Sequence, residues 1–364
     1  MKKKPVRIKD IADMAGVSVG TVDRVIHRRG KVAKNKEEKI RSAMKELNYK
    51  PNLAARSLAM QAQFKIAVVI PLYDNDSFWL DQLQGIKGGL QEIKNFGFTI
   101  ELLAFNDQQV GGLLKVKRRL NRGSFDALLL APTLKEDSIQ FLKLAEKKCI
   151  PYVLVNTNIE RNSDFFLGYI GQNSFQSGAL AGKLLSFNIR RKKDKFLVLH
   201  MEREVDKSPH MIQKEKGFRN YFNEKRNISD RIIVQKIPEF ANPKILKRKV
   251  KKILKNHPNL NGIFVTTSRI HYLAKVLKEL DAEYLNIIGF DLIKENIDTL
   301  YDYDRMFLIN QNPYLQGYYG IIHIFEHLLK KKIVHKKLYL PLDVITLENY
   351  RYYLHLNEYR LSQR

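Results

Sequence analysis

Cysteine is almost missing from this chain of 364 residues. The single thiol, Cys149, excludes an internal disulfide framework and any cysteine-cluster metal site, and it suits a reducing, cytoplasmic setting. Tryptophan is equally scarce, with Trp79 the sole example. No apolar run approaches the length that crosses a bilayer, so no membrane partner is expected. The N-terminal lysines are not followed by the apolar segment of a secretory signal, because Asp10 and Asp13 interrupt it. Phosphate-cradling loops of the types GxGxxG and GxxxxGK[ST] are absent as well. Gly88-Gly89 and Gly111-Gly112 are isolated pairs, and nucleotide-dependent chemistry finds no support in them.

Acidic residues are also under-represented, 38 against 64 Lys and Arg, for a formal charge of +26. The excess is uneven. Residues 1–63 hold 16 Lys and Arg against 6 Asp and Glu, about three times the charge density of the remainder. Such a concentration marks a reader of polyanions, since cations gain affinity by releasing the counterions condensed on a phosphate backbone. Within it, Ile8, Ile11, Ala12 and Ala15 repeat at helical spacing, Gly16-Val17 breaks the pattern, and Ser18 offers an N-cap for a second helix carrying Val22, Val25 and Ile26. A third amphipathic stretch runs from Lys34 to Leu47. Two short helices joined at a glycine, backed by a third, make a helix-turn-helix unit.

The run Val6-Arg7-Ile8-Lys9-Asp10-Ile11-Ala12-Asp13-Met14-Ala15-Gly16-Val17-Ser18, with Thr21 to Ile26 and Ala43 to Asn52 in order after it, resembles the headpiece of the LacI family of transcriptional regulators. The resemblance implies that the second helix enters the major groove of a double-stranded DNA operator. Ser18 and Thr21 would then bond phosphates, Val19 and Gly20 would face base edges, and Arg24 would reach a guanine through its bidentate fork. Arg7 and Ala33 depart from the Ser or Thr caps usual there. Asn52-Leu53-Ala54-Ala55-Arg56-Ser57-Leu58-Ala59 resembles the hinge helix of the family, with Asn52 among its contacts, Ala55 allowing close approach of a dimer mate and Leu58 wedging a minor-groove step. The expected division is a headpiece over 1–50, a hinge over 51–63 and a core over 64–364.

Beyond residue 64 short apolar runs alternate with amphipathic stretches at a spacing of about 30 residues, the signature of βαβ units and parallel sheets. Runs at 65–70, 98–104, 126–131 and 152–155 form one set, and runs at 196–200, 231–237, 262–266, 285–290 and 306–310 form a second. Two doubly wound α/β lobes are expected. Segments such as Ile170-Gly171-Gln172-Asn173 and Ile288-Gly289-Phe290-Asp291 resemble the periplasmic-binding-protein-type core of the same regulators, with lobes of about 64–172 plus 312–340 and 173–311 plus 341–364. In that fold a sugar-like small molecule sits beyond the carboxyl ends of the strands.

The resemblance carries over to particular positions. Asp76, Phe78 and Trp79 match the place where sugar-binding relatives carry a polar residue and two aromatics. Asp291 matches a carboxylate that accepts two hydroxyls. Gln311, Asn156 and Lys214 stand where relatives show Gln, Asp and Arg, and Thr267 stands where Asn is common. With Arg269 as an added cation, these changes imply a more positive pocket, and an acidic sugar is a possible ligand beside a neutral one. His323 and His327 lie at i, i+4 but read as a partly exposed helix of the first lobe rather than a metal site, and His200-Met201-Glu202 could line the cleft without a nucleophile partner. No catalytic constellation and no cofactor is implied. A homodimer on a pseudo-palindromic operator is the expectation, with a sugar-binding or sugar-modifying cytoplasmic protein carrying an attached helix-turn-helix as the alternative.

Overall fold

The computed structural model describes residues 6–27, 30–49, 63–72, 77–106, 109, 111–189, 191–203 and 205–354. The chain divides into two compact units, Met1–Met60 and Gln61–Arg364.

In the first unit, helices α1 (Ile8–Ala15), α2 (Val19–His27) and α3 (Lys34–Glu46) enclose a small core of Ile11, Ala12, Ala15, Val22, Val25, Ile40 and Ala43. Gly16 ends α1 at φ 65°, the left-handed conformation that a residue without Cβ adopts at least cost. No side chain caps the first turn from Arg7 or Ala33. Asp10 compensates in α1 by reaching back to accept the Arg7 N–H at 2.7 Å, the returning half of a capping box. Ser18 does cap α2, its Oγ accepting from the Thr21 N–H at 3.3 Å.

The larger unit contains two six-stranded sheets. The first uses β1 (Phe64–Pro71), β2 (Phe98–Phe105), β3 (Ala127–Leu130), β4 (Tyr152–Val155) and β5 (Phe166–Gly171), separated by α4 (Ser77–Ile93), α5 (Gly112–Arg122) and α6 (Lys135–Lys147). After α7 (Ser174–Ser186), the second uses β6 (Lys195–His200), β7 (Ile232–Lys236), β8 (Leu260–Val265), β9 (Asn286–Phe290) and β10 (Met306–Asn310), separated by α8 (Pro209–Arg226), α9 (Pro243–Asn256), α10 (Ile270–Lys278) and α11 (Lys294–Asp302). Helix α12 (Pro313–Leu328) packs against α4, and the chain ends its described part with β11 (Lys337–Tyr339) and β12 (Asp343–Ile345).

Strand order is β11-β5-β4-β3-β1-β2 in one sheet and β12-β10-β9-β8-β6-β7 in the other. The two orders correspond strand for strand, so each lobe has its order reversal beside its first strand, where an α/β sheet opens a crevice. All pairings are parallel except β10 with β12. Central strands such as β3 and β4 are buried along their whole length, as parallel strands covered on both faces must be. The chain passes between the sheets after β5, after β10 and after β11, which brings residues 172, 311 and 341 to the junction of the lobes.

Three strands depart from the sequence reading. Strand β5, Phe-Leu-Gly-Tyr-Ile-Gly, is broken by glycines and carries no apolar run. Strands β11 and β12 have three residues each, with β11 mostly exposed, and exist through pairing with β5 and β10. Helix α12 is partly exposed, as expected, with His323 on its buried side beside Gly168 of β5, where the ring Nε2 lies 2.9 Å from the His335 carbonyl oxygen. Among the described residues no group of His, Cys, Asp or Glu is placed to hold a metal, and no helix is long and apolar enough to cross a membrane.

Candidate functional site

In the first unit the outward face of α2 presents Val19, Gly20 and Arg24 to solvent, with Ser18 exposed at its start and Thr21 half-buried. The Ser18 and Thr21 hydroxyls lie 2.8 Å apart. An exposed valine at 48 % has no role in the core, so this helix spends an apolar side chain on its surface. Asn52, Ala55, Leu58 and, in the larger unit, Asp76 lie outside the described residues.

The larger unit opens a cavity of about 230 Å³ at the carboxyl ends of its strands. Strands of both sheets deliver residues to it from their carboxyl ends. Thr133 and Leu134 follow β3, Asn156 follows β4, Glu202 follows β6, Thr266 to Arg269 follow β8, Asp291 follows β9 and Gln311 follows β10. Phe78 and Trp79 enter from the first turn of α4, and His210 and Lys214 from the start of α8. Phe78, Trp79, Asn156, Lys214, Thr267, Arg269, Asp291 and Gln311, expected from the sequence, therefore share one cavity.

Two of them sit in strained backbone. Asn156 has φ 65° and Asp291 φ 68°, left-handed values that Asn and Asp tolerate better than other side chains. Asn296, itself buried, holds the second turn by donating to the carbonyls of Ser268, Phe290 and Asp291 at 2.8, 2.9 and 3.1 Å. The Asp291 carboxylate accepts from the Gln311 backbone N–H at 3.2 Å and from its amide at 2.5 Å. The Gln311 carbonyl oxygen in turn accepts from Gln172 and, at 3.3 Å, from Lys214. The Lys214 Nζ also donates to the Thr266 carbonyl at 3.1 Å and lies 3.4 Å from the Phe290 ring centroid.

Close helix packing fixes that lysine. A Cβ on Gly178 of α7 would stand 1.9 Å from the Lys214 carbonyl oxygen of α8, so only glycine permits the approach. Lys214 is 1 % exposed, and burial lowers its pKa to about 7 despite the opposing field of Asp291. Burial, reinforced by Lys214, lowers His210 to about 3, which leaves a neutral ring whose Nδ1 lies 3.2 Å from the Thr157 hydroxyl.

The added positive charge anticipated from Arg269 is cancelled. Its guanidinium forms an ion pair with Glu202, donates to the Met201 carbonyl at 2.8 Å and stacks on Phe240. This pairing joins residues 67 positions apart through adjacent strand ends, a proximity invisible along the chain. His200 is likewise structural, bonded to Thr266 at 2.9 Å and Glu215 at 2.8 Å. The Thr267 hydroxyl is buried without a hydrogen-bond partner, and it lines the cavity. A buried orphan of this kind costs about 1–3 kcal/mol until something polar meets it. Phe78 and Trp79 meet edge to face, centroids 4.8 Å apart, and form an apolar wall beside these polar groups. Glu202, which the sequence already allowed to line the cleft, does so, and Thr133, Leu134 and His210 add to the sequence expectations. The strand-end rule alone points to Thr133 and Leu134, whereas nothing near His210 in the sequence signals it.

Residues 66–332 match the periplasmic binding protein domain family, and residues 7–52 match the bacterial regulatory proteins of the lacI family. The sucrose operon repressor of Lactococcus lactis subsp. lactis is 27 % identical over 289 residues, covering 79 % of this chain and 83 % of that one. The ribose operon repressor of Lactococcus lactis strain IL1403 is 24 % identical, over 94 % and 98 %. The chain spans about half the length of the HTH-type transcriptional regulator MalR of Streptococcus pneumoniae, at 28 % identity over 175 residues. Among solved structures, one described as a putative LacI transcriptional regulator from Bacteroides fragilis superposes with a TM-score of 0.71 at 23 % identity, covering 80 % of this chain and all of that one.

Proposed function

The chain belongs to the lacI family of bacterial regulatory proteins, with a periplasmic-binding-protein domain after its lacI-type segment, and on that footing we propose that it is a cytoplasmic, homodimeric transcription regulator whose operator affinity is set by a carbohydrate effector. Members of this family are transcriptional repressors rather than enzymes. The observation that carries the effector assignment is the buried cavity, where a fixed carboxylate acceptor, Asp291, and an orphaned hydroxyl, Thr267, lie beside the Phe78 and Trp79 wall. Hydroxyls directed at the polar side and the C–H face of a ring on the aromatics meet both halves of that lining. Glu202 neutralises Arg269 and Asp291 faces Lys214, so the ring bound here is read as uncharged. Relatives named for sucrose and ribose operons, and a structural neighbour, CelR, solved with cellobiose, support this class.

On the nucleic-acid side Arg24 reads a guanine, Ser18 and Thr21 hold phosphates, and Val19 and Gly20 face base edges. The resemblance assigns a hinge to residues 51–63, with Asn52, Ala55 and Leu58, and that assignment is part of the same proposal. Effector and operator are linked because each shifts the equilibrium between lobe arrangements only by its differential affinity for them. A thermal-shift panel of neutral and acidic sugars, paired with operator selection across salt concentrations, tests the assignment. A binding sugar raises Tm as ln(1 + [L]/Kd). Asp291→Ala abolishes that rise, each charge-assisted bond lost being worth about 1.5–3 kcal/mol. Arg24→Ala weakens binding to the selected operator more than to scrambled DNA. A full sugar response in Asp291→Ala refutes the site, and equal loss on both DNAs reduces Arg24 to a phosphate contact.

A further inference from the structure

A second cavity, of about 240 Å³, adjoins the first and shares two of its walls, Phe78 and Asp291. Its charge balance differs. Asp81 of α4, Asp291 and Asp343 of β12 line it, and among the described residues no Lys or Arg does. The first cavity, by contrast, sets Lys214, Arg203 and Arg269 beside Glu202 and Asp291 in its lining. In a chain where basic residues outnumber acidic ones by 64 to 38, a wall of carboxylates without a cation is against the trend of the sequence.

Asp343 is held in place by the Asn312 amide at 3.0 Å. Among the described residues no hydrogen bond or ion pair reaches Asp81, although it is half-buried and desolvation raises its carboxyl to about 6. Independently, Tyr314 is 4 % exposed, lines the same cavity, and its hydroxyl has no hydrogen-bond partner. A half-buried carboxyl and a buried phenol hydroxyl without protein partners can both accept a hydrogen bond, and the aromatic side chains of Phe78 and Tyr314 line the same space. A metal ion is not the fit, because among the described residues no carboxylates converge closely enough to hold one.

Resting on the carbohydrate reading of the first cavity, we infer that the second cavity binds a protonated amine, so that the effector is a hydroxylated ring bearing an ammonium arm that reaches past Phe78 and Asp291. The arm donates to Asp81 and Tyr314. Selectivity then comes from the cavity as much as from the ring, since the net positive charge of the chain disfavours non-specific uptake of a cation.

The test uses the full chain and a matched pair of probes, 1,4-diaminobutane and 1,4-butanediol, titrated calorimetrically alongside the neutral sugar panel. The diamine binds at least tenfold more tightly than the diol at pH 7. Its affinity falls at pH 5 as Asp81 protonates, with Asp291, Asp343, Tyr314 and Tyr353 the other titratable groups facing it. Asp81→Asn, nearly isosteric, costs the diamine tenfold or more and removes most of that pH dependence, while the response to a neutral sugar persists. Tyr314→Phe costs it a few-fold. Equal binding of diamine and diol, or diamine affinity indifferent to both substitutions, overturns the inference and leaves the carbohydrate assignment standing. Silence across the whole sugar panel with Asp81-dependent diamine binding overturns the carbohydrate assignment and the composite effector together.

Discussion

In residues 6–49 the side chains assigned to DNA lie outside a small apolar core, whereas in the larger unit those assigned to the effector are themselves part of the buried interior. Arg24 is exposed and Lys214 is 1 % exposed, yet both are basic residues in proposed binding positions. The difference decides how charge can be counted. On α2 a guanidinium keeps its charge in water and acts at long range on a polyanion. Inside the cavity each cation must be compensated before any ligand arrives, because an uncompensated buried charge is too costly to keep. Arg269 has therefore taken Glu202 as its partner, and Lys214 is held by Thr266, Gln311 and the field of Asp291.

The sharpest way to break this comparison is to disturb the packing that the buried site depends on. Gly178→Ala places a methyl 1.9 Å from the Lys214 carbonyl oxygen, and backbone on both sides leaves no side chain to yield. Helix α8 must move, carrying Lys214 and His210 away from the strand ends. The expected loss is roughly 1–3 kcal/mol of stability for the larger unit, with loss of the sugar-induced Tm rise. Calorimetric melting follows both. An unchanged melting profile with full sugar response rejects the view that this helix contact positions the site.

A smaller effect, of defined sign, separates the two cations by pH. The folded-state pKa of Lys214 lies below its ordinary 10.5, at about 7. Between these values the unfolded chain binds more protons than the folded one, so stability contributed through this group rises with pH across that window and is lost as pH falls towards 7. Replacing Lys214 by Met removes this dependence. The slope of Tm against pH between 7 and 10 should therefore be shallower in Lys214→Met than in the parent, whereas Arg24→Met, at an exposed site, should leave it unchanged. Parallel curves for parent and Lys214→Met would mean that the lysine keeps its ordinary pKa.

These contrasts also explain what could be read in advance. The residues assigned to DNA from Ser18 to Arg24 lie on one contiguous helix, α2, and its N-terminal cap, so that helix was legible in the sequence, and their contacts remain a proposal. Parallel strands with continuous burial left equally plain runs, and residues just after them, Asn156, Asp291 and Gln311, arrived at the cavity. Pairings across the sheet left no trace. Glu202 and Arg269 meet only because β6 and β8 are neighbours, and the carboxylate cavity gathers Asp81, Asp291 and Asp343 from three elements far apart in the chain. Strands β5 and β11 escaped for a related reason: glycine and exposure hide a strand whose stability comes from its neighbour.

The smallest expected effect applies the same chemical change, glycine to alanine, to the exposed helix. Gly20 is the second residue of α2, in its first turn, and a Cβ there would meet nothing within 4 Å. The steric penalty that governs Gly178 is thus absent, and what remains is the backbone entropy that glycine loses on entering a helix. Gly20→Ala should stabilise the headpiece by about 0.8–1 kcal/mol, seen as a higher melting point of a fragment spanning residues 1–50 by circular dichroism, while the larger unit melts as before. Because residue 20 faces base edges in the proposed docking, the added methyl should also change which sequences are selected, without a matching change in the salt dependence set by phosphate contacts. A stabilised headpiece with unaltered sequence preference would place Gly20 away from the bases. A destabilised one would show that the space around this face of α2 is not open.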